Sequence, residues 1–178
     1  VAPRGPGLGW LWIDNNPLGD AGMAALAKAL PITLQTVGLS QTGCGTDGCV
    51  ALAAVLPSWL SLARLSLSDN PAIADRGWVA LAAGIPTTTG QQHNDGLVLT
   101  FKNNPGLGSE SATALAAAVP LCPGLSWLFL QGCGLDAVAK AALEAAERVR
   151  NSTEDGSQFL NLRLAEPFTE SSDDSDDD

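Results

Sequence analysis

Basic residues are scarce in this chain of 178 residues: nine lysines and arginines stand against nineteen aspartates and glutamates, for a net charge of −10. Without a basic surface to neutralise a phosphate backbone, no nucleic-acid partner is expected. The acids are unevenly placed. Residues 166–178 hold seven of them, which leaves a body with twelve acids and nine bases, a net charge of −3. Long apolar runs are also missing. The longest apolar stretch free of charge and proline is the short run around Cys49–Leu56, well short of the ~18 residues of a membrane span, so no crossing of a bilayer is expected. No basic segment followed by an apolar one opens the sequence, so a targeting peptide is expected to be lacking or to have been removed before residue 1. Four cysteines, Cys44, Cys49, Cys122 and Cys133, are few for a disulfide scaffold and match no zinc spacing. They favour an intracellular, reducing compartment, cytoplasm or organelle interior, over secretion. The single histidine, His93, has Asp95 nearby but no local nucleophile to complete a triad, and is expected to be a solvated loop residue.

What is present is a repeat. With 46% hydrophobic residues the chain has enough apolar material for one continuous core. Leu8-x-x-Leu11-x-Ile13-x-x-Asn16-x-Leu18 is followed by Gly19-Asp20-x-Gly22, by Met23, Leu26 and Leu30 at helical spacing, and by Pro31. The pattern returns at Leu34-x-x-Val37-x-Leu39-x-x-Thr42, Leu62-x-x-Leu65-x-Leu67-x-x-Asn70, Leu99-x-Phe101-x-x-Asn104 and Leu125-x-x-Leu128-x-Leu130-x-x-Cys133. A partial unit, Phe159-x-x-Leu162-x-Leu164, closes the series. Equivalent positions lie 26, 28, 34, 29 and 34 residues apart from Ile13 to Leu164. Insertions are expected as surface loops at Thr87–Gly96 and at Asn151–Gln158, the latter after a long helical pattern from Asp136 to Arg150. Each unit alternates with period two and then with helical period up to a proline, which predicts strand then helix. Parallel strands joined this way stack side by side, because no single unit buries its own leucines.

The string Leu-x-x-Leu-x-Leu-x-x-Asn-x-Leu-Gly-Asp-x-Gly, with a helix of the Ala-Ala-Leu-Ala-Lys-Ala-Leu kind, resembles the ribonuclease-inhibitor type of leucine-rich repeat over residues 7–165. The resemblance implies an α/β, right-handed solenoid bent into a horseshoe arc, with about five strand-helix repeats and a final strand. Its sheet is concave and its helices convex. It also implies an asparagine ladder that bonds loop backbone from turn to turn. Asn16, Asn70 and Asn104 match the ladder position, while Thr42 and Cys133 replace the asparagine there. The expected organisation is a repeat domain over 1–165 followed by an acidic tail, 166–178.

Several local motifs invite chemistry. Gly43-Cys44-Gly45-Thr46-Asp47-Gly48 is a literal G-x-G-x-x-G with Asp69 about twenty residues on, as in a dinucleotide fingerprint. Alignment to the repeat assigns Gly45 and Gly48 instead to the strand-to-helix turn, as Gly19 and Gly22 are. Cys44 and Cys133 fall where the repeat wants buried small groups, so burial is expected ahead of a Cys44–Cys49 bridge. Asn151-Ser152-Thr153 is a glycosylation sequon by letter and matters only in a secreted chain. No catalytic, metal or cofactor site is expected.

The residues flanking each strand's central leucine project away from the core: Trp10 and Trp12, Thr36 and Gly38, Arg64 and Ser66, Val98 and Thr100, Trp127 and Phe129. Aromatics therefore occupy the same columns at both ends of a span of roughly 19 Å. Exposed tryptophan on a rigid scaffold is a typical interface anchor, although Trp10 and Trp12 could equally cover the open end of the array. The expected function is a non-catalytic protein-interaction module or scaffold subunit, binding through Trp10, Trp12, Arg64, Lys102, Trp127 and Phe129. Two other readings stand beside it: a regulator resembling the GTPase-activating proteins for Ran, which combine such repeats with an acidic C-terminal segment, and a recognition fragment of a nucleotide-binding immune-type receptor. The tail lacks the apolar content to order itself and is expected to be disordered alone. It serves solubility, or it docks on a basic surface, strengthened by phosphorylation of Ser171 and Ser175, each with an acid three residues downstream.

Overall fold

The computed structural model describes residues 7–85, 96–152 and 159–165. His93, Asp95, Thr153, Ser171, Ser175 and the first insertion except Gly96 lie outside those residues, as does the tail. Among the described residues six short strands, β1 (Trp10–Trp12), β2 (Thr36–Gly38), β3 (Arg64–Ser66), β4 (Leu97–Thr100), β5 (Leu125–Phe129) and β6 (Asn161–Arg163), alternate with five α-helices. These are α1 (Gly19–Ala29), α2 (Thr46–Val55), α3 (Asp75–Gly84), α4 (Ser109–Ala118) and α5 (Ala137–Asn151). The strands form one parallel sheet in sequence order. Each helix packs on the next, from α1 on α2 to α4 on α5. Among the described residues no helix is long and apolar enough to cross a membrane.

The leucine pattern explains the single core. Val37, Leu65, Leu99 and Leu128 from strand centres and Leu39, Leu67, Phe101 and Leu130 two residues on join Met23, Leu52, Leu81, Leu115 and Leu143 from the helices in one apolar cluster. Each fully buried leucine contributes about 1.5–3 kcal/mol relative to exposure. Trp59 and Trp78 belong to the same core; the Trp78 ring lies 5.0 Å from that of Phe101, and its indole N–H donates to the Ile73 carbonyl at 3.2 Å. The helices were expected to run to their prolines. Instead α2 and α4 stop at Val55 and Ala118, and Pro57 and Pro120 sit inside the short 3-10 turns Leu56–Ser58 and Val119–Leu121. A proline has no N–H for the α-helical bond, and the tighter turn absorbs the mismatch. At the other end α5 runs one residue beyond the expected Arg150.

Two further columns tie the units together. The residue before each ladder position adopts a left-handed conformation: Asn15, Gln41, Asp69 and Asn103, with φ of 60, 54, 57 and 57°, and Gly132 at 71°. That turn aims the next side chain inward. Asn70 Oδ1 accepts from the N–H groups of Thr42 (3.1 Å) and Cys44 (3.0 Å) in the preceding unit, and its Nδ2 donates to Leu39 and Leu67 carbonyls. Asn104 Oδ1 accepts from the Asn70 N–H at 2.9 Å, and its Nδ2 donates to Leu67 and Phe101 carbonyls. The Cys133 thiol occupies the same place and reaches the Phe101 carbonyl at 3.2 Å. It is half-buried, short of the burial expected. The Asn16 side chain, in the exposed first unit, donates to the Ile13 and Asp14 carbonyls of its own loop.

The second column was not anticipated. Helices α2, α3 and α4 have no side-chain cap of their own, yet each is capped from the helix before it. Asp20 Oδ1 accepts from the Gly45 and Gly48 N–H groups, both at 2.8 Å. Thr46 Oγ1 accepts from Ala74 N–H at 2.9 Å, and Asp75 Oδ1 accepts from Gly108 and Ser111 N–H and from the Ser111 hydroxyl. Ser109 completes the series by donating to Asp136, itself the N-cap of α5. Anionic acceptors at helix N-termini satisfy orphan N–H groups and complement the helix dipole. Hydrogen bonding to Ser111 and to the α4 entry holds the Asp75 carboxyl below its ordinary range, and the Ala139 N–H and Ser109 hydroxyl do the same for Asp136.

Candidate functional site

That capping column removes the nucleotide motif from consideration. A phosphate in the Gly43–Gly48 turn would need the very amides that the Asp20 carboxylate holds, and a Cβ on Gly45 or Gly48 would stand 2.8 Å from the same carboxylate. The cysteines are all free thiols, so Cys44 and Cys49 form no bridge. Burial first, and the Asp20 charge second, push Cys44 up to about 12, and burial raises the other three. Thiols so poorly ionised are weak nucleophiles. Among the described residues no three His, Cys, Asp or Glu side chains gather as a metal site. The Asn151 amide is engaged on both sides by Leu160, accepting from its N–H at 2.8 Å and donating to its carbonyl at 3.0 Å. A glycan on that nitrogen would cost the second bond.

What remains is the sheet face opposite the helices. Strand register sets its columns: Trp10, Thr36, Arg64, Val98, Trp127 and Asn161 form one, and Trp12, Gly38, Ser66, Thr100, Phe129 and Arg163 the next. The backbone ladder continues through the Asn15, Gln41, Asp69 and Asn103 N–H groups. It thereby aligns a third column of Asp14, Ser40, Ser68, Lys102 and Gln131. The face is not evenly exposed. Thr36 and Gly38 are buried, and a Cβ on Gly38 would meet the Trp12 ring at 2.5 Å, so Trp12 lies across the second strand. Trp10 and Trp12 are nonetheless 66% and 63% exposed.

The other end is built differently. Trp127 and Phe129 are stacked, with ring centroids 5.5 Å apart and planes within 5°. The Lys102 ammonium stands 5.4 Å from the Phe129 ring centre, and the Arg163 guanidinium 5.5 Å from that of Trp127. Both distances fall within cation–π range. A register shift at the start of β5 makes this possible: Leu97 pairs with Leu125 but Val98 with Trp127. Ser126 is the extra residue, buried with its hydroxyl on the Leu97 carbonyl at 3.1 Å. Without the bulge every later side chain of β5 would face the opposite way. Beside the rings, the buried Gln131 Oε1 has no hydrogen-bond partner among the described residues.

Of the residues singled out from sequence, Trp127, Phe129 and Lys102 are thus brought together, Trp10 and Trp12 form a separate pair, and Arg64 stands exposed between them on β3. Arg163 was missed. It flanks Leu162 as Phe129 follows Leu128, but the sixth unit lacks its helix and was not carried into the columns. Comparison with known proteins finds no matching family model and no matching curated protein.

Proposed function

We propose that the chain is a leucine-rich-repeat solenoid of the ribonuclease-inhibitor type, right-handed and concave on its sheet side, that works without catalysis by presenting that face to a protein partner. The stacked Trp127–Phe129 pair flanked by Lys102 and Arg163 carries this reading. Two rings held rigid on paired strands lose little entropy on binding, and tryptophan and arginine are the residue types that concentrate interface energy. The asparagine and cysteine ladder supports the repeat assignment, since Asn70, Asn104 and Cys133 each bond the backbone of the unit before.

The test is affinity capture of native partners with the wild-type chain and with a Trp127→Ala/Phe129→Ala variant. The variant is expected to lose about 2 kcal/mol or more of binding, at least about thirtyfold in Kd, with an unchanged denaturation midpoint. Undiminished capture of every partner would refute the assignment of this face, and a collapsed midpoint would make the rings structural.

A further inference from the structure

The columns of the sheet face are cationic in a chain that is otherwise anionic. Their charged members among the described residues are Arg64, Lys102 and Arg163 against Asp14 alone. Asp14 lies at the far, first-strand end, where its carboxylate is already taken by the Ser40 N–H at 2.7 Å. The cations gather toward the last strands, two of them over the Trp127 and Phe129 rings.

The chain itself supplies a matching segment at that end. Arg163 ends β6, and residues 166–178 begin three positions later with seven acids, no base and one aromatic residue, Phe168. Thirteen residues reach about 43 Å when extended, whereas β6 to β3 is three strand spacings, roughly 14 Å. We infer that residues 166–178 fold back over the Trp127–Phe129 patch as an acidic intramolecular ligand, with Phe168 against the rings and the carboxylates on Lys102, Arg163 and Arg64, and that a protein partner must displace them.

Tethering gives the segment an effective concentration on the order of millimolar, so contacts too weak to hold a free peptide still fill the site. Each exposed ion pair adds little on its own, about 0.2–1 kcal/mol, and is screened by salt. Occupancy is therefore expected to be partial, reversible and sensitive to ionic strength, as suits a ligand that must yield. This inference rests on the same face as the proposed function but not on the identity of any partner.

The chain has three lysines, Lys28 and Lys140 exposed on α1 and α5, and Lys102 on the sheet face, which makes zero-length carbodiimide crosslinking a direct test. An equimolar mixture of full-length unlabelled and nitrogen-15-labelled chains is crosslinked and digested, and the lysine links to residues 166–178 are quantified. Links from Lys102 are expected to exceed those from Lys140 and Lys28 by about fivefold or more, to join residues of one isotope only, and to fall to the level of the other lysines at about 0.5 M NaCl. The Phe168→Ala chain should lose about half of the Lys102 links and none of the others. Equal links from all three lysines, or links that mix isotopes, would overturn the proposal; mixed links would mean that the segment serves a second molecule. If Lys102 links persist but the ring variant still captures every partner, only the partner-binding role fails. If capture is lost but Lys102 is not favoured, only the intramolecular ligand fails.

Discussion

The first unit and the fifth place aromatic residues in the same two columns of the sheet, and the outcomes are opposite. Among the described residues Trp10 and Trp12 stand on an edge strand, paired with β2 alone. Among the described residues neither ring stacks or meets a cation. Trp127 and Phe129 lie between β4 and β6, whose ends supply Lys102 and Arg163. The same contrast runs through the interior. Leu11, Ile13, Leu18, Leu26 and Leu30 of the first unit are only partly buried, whereas Leu65, Leu67, Leu128 and Leu130 are fully buried. A repeat is completed by its neighbours, so a unit with one described neighbour buries its leucines less.

The ladder offers the strongest way to break this comparison. Asn70→Ala strips partners from buried groups in two units and is expected to cost about 3–4 kcal/mol, while Asn16→Ala, exposed and bonded within its own loop, should cost less than about 1 kcal/mol. Equilibrium urea denaturation measures both, and equal losses would show that the first unit is as tightly integrated as the third.

The capping column gives a smaller effect with a pH signature. The folded-state pKa of Asp75 is depressed below its ordinary value of 3.8, so its stabilisation is present above about pH 4 and is lost as pH falls through the lowered value. Asp75→Asn should cost no more than about 1 kcal/mol at pH 7, since the site is partly solvated. The gap between variant and wild type should narrow as pH falls from 3.8 through the lowered value; a gap that does not narrow on acidification would mean that shape, not charge, is what α4 needs.

Smallest is the left-handed turn. Gln41 is exposed and carries a side chain at φ 54° where the fifth unit has Gly132. Gln41→Gly relieves about 1–2 kcal/mol of backbone strain and adds about 0.5–1 kcal/mol of unfolded-state entropy, for a net gain of about 0.5 kcal/mol. A thermal midpoint that falls would show that Gln41 makes a contact worth more than its strain.

How much of this was legible beforehand follows from range. Leu11-x-Ile13 and its successors encode strands because period two is a local property, and the same alternation named Trp127 and Phe129 as outward-facing. Asp20 gave no such warning. Its aspartate reads as first-turn charge for α1, and only the stack reveals that its carboxylate serves the amides of α2. The helix ends at Pro57 and Pro120 were misjudged by a few residues because a proline's missing N–H acts on the turn before it.

From the residues alone came the alternation of strand and helix, the number of units and the columns of the sheet, because hydrophobic period and turn chemistry act within one unit. Which unit a carboxylate caps, the bulge at Ser126 that turns Trp127 outward, and the placing of Lys102 and Arg163 over two rings were decided by the tertiary structure. Those contacts join residues of different units, and their geometry exists only once parallel strands have fixed one register across the stack.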